Sequence, residues 1–228
     1  MKSVFYIDGF NLYNKALAPA PELKWLNLAA LADLLNKDGE VAKINYYTAK
    51  VSGKIDPGHV TRQNAYLRAL KTELRIEAHV SKFQKNMVWA FPAQNYETKP
   101  EGYEWAEPKP ALIRVEFSQE KDSDVALASH LLRDAALKRF DKFYVLSGDS
   151  DFAEAIRIAV QDFGAEVELI LPSRPRRRGN PGVATKLLEA ASAYSYLSAK
   201  FVAAAQFPDK ILKPGQDGQF LRRPEEWD

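Results

Sequence analysis

Apolar positions along the chain follow two alternating rhythms. Short β-branched or aromatic runs, Val4 to Ile7, Lys43 to Thr48, Ile76 to Val80, Phe143 to Leu146 and Val167 to Leu171, have the length and composition of strands. Between them the apolar residues recur at helical spacing: Leu28, Leu31, Leu34 and Leu35 in residues 27–36; Val60, Ala65, Leu67 and Leu70 in 58–73; Val125, Ala128, Leu132 and Ala135 in 122–138. Residues 152–163 and 183–200 complete the helical set. Strands and helices in alternation run successive strands parallel and cover both sheet faces. The pattern therefore predicts an α/β fold, a three-layer α/β/α sandwich with a central, mostly parallel sheet.

One stretch breaks the rhythm. Residues 82–118 hold Pro92, Pro100, Pro108 and Pro110 among aromatic and charged residues, with no helical period. They read as an insertion whose ends, VSKFQKN and ALIRVEF, pair as an antiparallel hairpin on a sheet edge. Trp89, Phe91, Tyr96, Tyr103 and Trp105 supply rings for packing or for stacking. From Phe207 onward proline, glycine and charge predominate, as in a loosely ordered or surface-draped tail. The expected organisation is one domain over residues 1–200 and a C-terminal tail over 201–228.

Composition narrows the chemistry. With no cysteine, disulfides and thiolate metal sites are excluded, so a metal must be held by oxygen or imidazole, which favours Mg²⁺ or Mn²⁺. The first apolar run is short and ends at Asp8, unlike a signal peptide, and no segment is long enough to span a bilayer, which predicts a cytoplasmic protein with no membrane partner. A net charge of +2 makes the chain no polycation; affinity for nucleic acid must come from local clusters, of which Arg174, Arg176, Arg177 and Arg178 form the densest.

Ligands of parallel sheets sit beyond the carboxyl ends of the strands, where the strand order reverses. Asp8 follows the first strand in YIDGFN, with Gly9 to turn the chain and Asn11 to return an amide to the same crevice. Asp149 and Asp151 follow the Phe143 strand, and residues two apart on extended chain project to one side about 7 Å apart. Asp124 lies on the stripe with Ala128, Leu131 and Ala135 and is expected to face inward at its helix start. Like charges about 4 Å apart repel by roughly 4 kcal/mol at an effective dielectric near 20, a conflict that a bound cation removes. Each acid also has a plain structural reading: Asp124 beside Asp122 and Ser123 as a helix cap, Asp149 or Ser150 as a cap, Asp8 as turn chemistry. What favours a site is that three separate segments deliver acids to one edge of the sheet.

YIDGFNLYN, EKDSDVALASHLL and VLSGDSDFAEAI together resemble the NYN domain, a branch of the PIN-like nucleases, over about residues 3–199. The resemblance implies a PIN-like sandwich, a Mg²⁺ or Mn²⁺ site, and hydrolysis of RNA phosphodiesters leaving 5′-phosphate and 3′-hydroxyl ends. It makes Asp8, Asp124, Asp149 and Asp151 the metal-binding or metal-orienting acids and Asn11 their polar partner. Two positions depart from the family pattern: His130 stands where many relatives carry another aspartate, and Gly148 where asparagine is frequent. His130 is read as a packing residue ahead of two other roles, a partner to the metal-binding acids or an RNA contact.

A negative pocket repels a polyanion, so cations must flank it. The loop PSRPRRRGNPG opens at the same edge as the acids, and its arginines suit backbone phosphates; Lys121 and Lys186 lie near helix starts and can add contacts. The expected partner is RNA, single-stranded, with a homodimer also allowed for. Two rivals remain: an RNA-binding or protein-interaction module with weak catalysis, and an Mn-dependent nucleotide-sugar transferase using Asp149, Ser150 and Asp151 as a DxD element, which leaves Asp8 and Asp124 without a role.

Overall fold

Strand β1 (Lys2–Asp8) sits at the centre of the sheet and is buried on both sides. Its alternating side chains divide between two cores: Phe5 and Ile7 enter one, Val4 and Tyr6 the other. The chain, seen in a computed structural model, is described over residues 1–37, 39–53, 56–90, 112–172, 185–215 and 218–227, the side chains of 118–121 excepted.

After β1 come helix α1 (Gly9–Leu12), a π-helical turn Tyr13–Leu17 and a 3₁₀ turn Pro21–Leu23. Helix α2 (Leu28–Leu35) starts at Asn27, whose Oδ1 accepts from the Ala29 and Ala30 amides at 2.8 and 3.1 Å. Strand β2 (Glu40–Ala49), helix α3 (Pro57–Leu70), strands β3 (Ile76–Ala90) and β4 (Ile113–Lys121), helix α4 (Ser123–Ala136) and strand β5 (Lys142–Leu146) follow. Then come α5 (Ala153–Gln161), β6 (Glu166–Leu171), α6 (Thr185–Ala190), β7 (Ala193–Tyr196), α7 (Ala199–Ala204) and the hairpin β8 (Lys210–Leu212) and β9 (Phe220–Arg222).

The main sheet runs β4-β3-β2-β1-β5-β6-β7, parallel throughout except where β4 pairs antiparallel with β3. From β1 the chain builds outward through β2 to β4 on one side, then returns to add β5 to β7 on the other. That reversal opens a crevice between the carboxyl ends of β1 and β5. Helices α2, α3 and α7 bury their apolar faces in the core that holds Phe5 and Ile7; α4, α5 and α6 do so in the core that holds Val4 and Tyr6. The expected three-layer sandwich is the fold.

The insertion behaves as an extension of the sheet. Residues Ile76 to Ser81 of β3 pair with β2, and the same strand continues from Lys82 to Ala90 against β4. Phe91, Tyr96, Tyr103 and Trp105 lie outside the described residues; Trp89 sits on β3, largely exposed. Where the alanine-rich pattern predicts one helix over 183–200, the described part divides into α6, β7 and α7. The SAYSY segment between the alanines carries Tyr194 and Tyr196, residues that favour a strand, and β7 pairs along β6. Among its described residues the region from Phe207 onward is anchored at two points: Phe207 and Trp227 are buried against Trp25, with ring centroids 5.8 and 6.2 Å from it.

Gly9 owes its place to space. A Cβ there would lie 2.6 Å from the Tyr47 carbonyl oxygen and 2.7 Å from the Tyr46 ring, and backbone does not yield cheaply. The sequence reading gave Gly9 a turn; the structure gives it a close helix–strand approach. Gly9→Ala is expected to destabilise the fold by about 1–3 kcal/mol, as overpacking does, read as a lowered denaturant midpoint at constant slope. An unchanged midpoint would show that α1 shifts freely.

Candidate active site

The register of the two central strands assembles the site. Ile7 pairs with Leu146, so the next residues, Asp8 and Ser147, emerge together at the carboxyl edge of the sheet. Ser147 Oγ donates to Asp8 Oδ2 at 2.9 Å and accepts from the Asp149 amide at 3.1 Å. Asp8 Oδ1 accepts from the Asn11 amide at 3.0 Å and caps α1, while Asn11 Oδ1 accepts from the Gly148 amide at 3.0 Å. The exits of β1 and β5 are thus laced by four hydrogen bonds, and Asp8 is fixed at both oxygens.

Asp8 is buried, and burial pushes its carboxyl above the usual range. The Asn11 and Ser147 hydrogen bonds oppose that shift, while the negative charge of Asp149 adds to it. An ionised Asp8 is therefore held at some cost in an environment that favours a nearby cation.

A cavity of about 290 Å³ opens beside it, lined by Asp8, Asn11, Asp124 and Asp149 together with Asn14 and Lys15. Phe10 and Phe83 form its apolar wall, their rings edge to face at 5.8 Å. Three of the four expected acids share this space. The fourth, Asp151, is exposed and outside the lining; its amide donates to Asp149 Oδ1 at 3.0 Å, so Asp149 caps the short turn Ser150–Phe152. The capping reading of Asp149 is thus realised, and Asp8, read as turn chemistry, caps α1; each does so alongside its place in the cavity. Among the described residues, no three carboxylate or imidazole groups stand close enough to hold an ion between them.

Asp124 reaches the cavity by a different route from the one expected. The buried face of α4 carries Ser123, Leu127, Leu131, Asp134 and Ala135, and Asp124 lies just off that seam, exposed. The chain enters α4 through Asp122 in a left-handed conformation (φ 85°), a sharp turn that leaves Ser123 and Asp124 lining the cavity. The buried acid of this helix is Asp134, which accepts from the Tyr6 hydroxyl at 2.8 Å and from Arg133 and Arg139 at 3.0 Å. It serves the core, not the cavity.

Of the expected nucleic-acid contacts, Arg174, Arg176, Arg177 and Arg178 lie outside the described residues. Lys186 is exposed in the first turn of α6, and Lys121 ends β4, next to the turn that leads to Asp124. Sequence reasoning missed Asn14, Lys15 and Ser147. The signal was present for two of them: Asn14 and Lys15 follow Asn11 by three and four residues, the spacing of one helix face.

His130 packs as expected. Its Nδ1 lies 2.9 Å from the Tyr47 hydroxyl, and its ring lies 4.8 Å from that of His79, which stacks on Tyr47. Burial lowers both histidines below their ordinary value of 6.5, with Arg133 also opposing protonation of His130. The unfolded chain then binds protons that the folded chain refuses, so their share of stability is present above pH 6.5 and is lost as pH falls below it. The melting temperature should fall by several degrees between pH 7.5 and pH 5.5, and His79→Gln with His130→Gln should flatten that slope. An equal slope in the double variant would contradict the assignment.

The family profile described as NYN domain matches residues 2–198. A curated relative, 6-hydroxy-3-succinoylpyridine 3-monooxygenase HspA of Pseudomonas putida, is 24% identical over the whole of this chain and 75% of its own length. A crystal structure of a protein of unknown function from Vibrio parahaemolyticus is similar with a TM-score of 0.48 and 16% identity, over 88% of this chain and 94% of that one. No helix among the described residues is long and apolar enough to cross a membrane.

Proposed function

The chain belongs to the NYN domain family, a PIN-like nuclease type, and from that premise we propose that it hydrolyses RNA phosphodiesters in the cavity between β1 and β5. The observation that carries this reading is the convergence of Asp8, Asp124 and Asp149 on one cavity from three segments of the chain.

Nucleases of this kind usually depend on a divalent metal, and the donor set here suits Mg²⁺ or Mn²⁺. All candidate ligands are oxygens, and the buried Asp8 lies in the field of Asp149. Asp8 and Asp149 would hold the ion, with Asp124 across the cavity; Mg²⁺ commonly takes only one or two carboxylates and completes its shell with water and substrate, so a ready-made cage of three is not required. When bound, a divalent cation lowers the pKa of a coordinated water and stabilises charge on the phosphate.

The protein's own residues do the rest. Ser147 and the Asn11 amide hold both Asp8 oxygens in place, and the Asp149 amide anchors Ser147 in turn. Lys15 carries the positive charge among the described liners and suits a phosphate oxygen of single-stranded RNA. Phe10 and Phe83 keep one side of the cavity apolar. Lys121, Lys186 and the arginines of residues 174–178 are proposed as further contacts to the RNA backbone, and Asp151 as an acid that orients the metal from outside the cavity lining.

Incubating the purified chain with single-stranded RNA in Mn²⁺ or Mg²⁺, and in chelator, tests the proposal. Metal-dependent cleavage to 5′-phosphate ends is the expected outcome. RNA retained without turnover in either metal would favour the binding module instead.

A further inference from the structure

On the other side of Phe10 and Asn14 lies a second and larger cavity, of about 500 Å³. It is a site-sized hollow, within the range of small-ligand pockets. Its aromatic lining comes from four parts of the chain: Phe10 and Tyr13 from the segment after β1, Tyr46 from β2, Tyr66 from α3, and Trp227 from the C-terminal segment. Apart from Phe10, which lines both cavities, nothing in the acid cavity's chemistry uses these rings.

The polar groups at this cavity cancel one another. Arg62 pairs with Asp56 and with Glu226, the latter at 3.0 Å, and His59 lies 3.2 Å from Asp56. Lys24 sits over the Tyr13 ring at 5.4 Å. Among the described residues two cations, Arg62 and Lys24, are matched in number by two carboxylates, Asp56 and Glu226, so the hollow does not suit a phosphate. It suits a neutral, flat ring, which aromatic walls hold by stacking whatever its substitution pattern. Gln63 at the same lining is committed to the backbone, accepting from the Val51 amide and donating to the Ala49 carbonyl, which fixes the wall.

The two cavities share Phe10 and Asn14 as a common wall. A ligand with a phosphate in the acid cavity and a ring one step away would fill both, and a nucleotide within an RNA strand has that form. We propose that the aromatic cavity seats the base of the nucleotide adjoining the scissile phosphate, an assignment that rests on the reading of the acid cavity as an RNA-cleaving site. Asn14, whose amide both donates and accepts, is placed to touch the base edge or the sugar between them.

Binding is measured apart from cleavage, in chelator, by quenching of tryptophan fluorescence, since Trp227 lines the cavity. The probes are an RNA octamer, the same octamer with a single abasic position moved along it, and free adenosine and uridine. Tyr13 is more than a third exposed, so Tyr13→Ala should fold. Tyr13→Ala is expected to weaken octamer binding about tenfold, with Tyr13→Phe restoring it. One abasic position should cost as much in the wild type and nothing further in Tyr13→Ala. A plugged cavity, Val51→Trp, should lose the same increment. Equal octamer binding by wild type, Tyr13→Ala and Val51→Trp would overturn the proposal, as would an abasic scan without a sensitive position. Nucleosides that bind and are displaced by the plug, with no base-dependent binding of RNA, would assign the cavity to a free heteroaromatic compound and also overturn it. Base-dependent binding without any metal-stimulated cleavage would instead leave the aromatic cavity as a seat for an RNA base, with no scissile phosphate beside it, and sink the nuclease reading.

Discussion

Asp149→Asn should lower the rate of RNA cleavage by at least about a hundredfold while leaving the melting temperature of the metal-free protein unchanged or higher. The two halves of this expectation come from two jobs done by one side chain. As a cap, Asp149 accepts from the Asp151 amide through Oδ1, and asparagine caps as well as aspartate does. As a cavity acid, Asp149 adds negative charge beside the buried Asp8, which asparagine does not. Removing the charge therefore relieves repulsion without breaking the turn. Asp149→Ala separates the roles from the other direction: it should lose cleavage and also about 1 kcal/mol of stability with the cap. If Asp149→Asn keeps full cleavage, the carboxylate is only a cap.

Trp227→Ala should destabilise the fold by about 3 kcal/mol, in the range for deleting a buried aromatic side chain, or roughly 6–12 °C in melting temperature for a domain of this size. Trp227 is 8% exposed and packs against Trp25 and Tyr66 at 6.2 and 6.3 Å between ring centroids. Its carbonyl also accepts from Arg223, and its neighbour Glu226 pairs with Arg62 of α3. The segment is a structural strap that also lines the aromatic cavity. A change below about 1 kcal/mol would mean that the rest of the core folds without it.

That strap shows where sequence reasoning stops. Proline, glycine and charge around residues 208–226 set the local composition, but a single tryptophan that reaches a distant aromatic cluster leaves no periodic trace. The same limit applies to β7, hidden in an alanine-rich stretch because its pairing with β6 is decided by tertiary contact. Strands β1, β2, β5 and β6 were legible because central parallel strands must be apolar on both faces, which writes them as short continuous runs. The insertion hairpin was legible from its ends, although its continuity with β3 was not.

At the site, Asp8, Asn11 and Asp149 could be anticipated because a parallel sheet fixes where its strands end, and the β1–β5 register then brings Asp8 beside Ser147. Asp124 lines the cavity for a reason other than the helical stripe. The helical stripe assigned it to the buried face, whereas it lines the cavity from an exposed position set by the left-handed turn at Asp122, a feature no periodicity reveals. Extended chain beyond β5 would set Asp151 on the same side as Asp149. A 3₁₀ turn begins at Ser150 instead and takes the two side chains apart.

The central claim, that RNA is cut where Asp8 meets Asp149, is tested most directly by measuring RNA cleavage against Mn²⁺ concentration for the wild type and Asp8→Asn side by side. The account predicts a wild-type rate that rises to saturation with Mn²⁺ and an Asp8→Asn rate that stays at background throughout. Cleavage by Asp8→Asn at the wild-type rate and with the same metal dependence would contradict it.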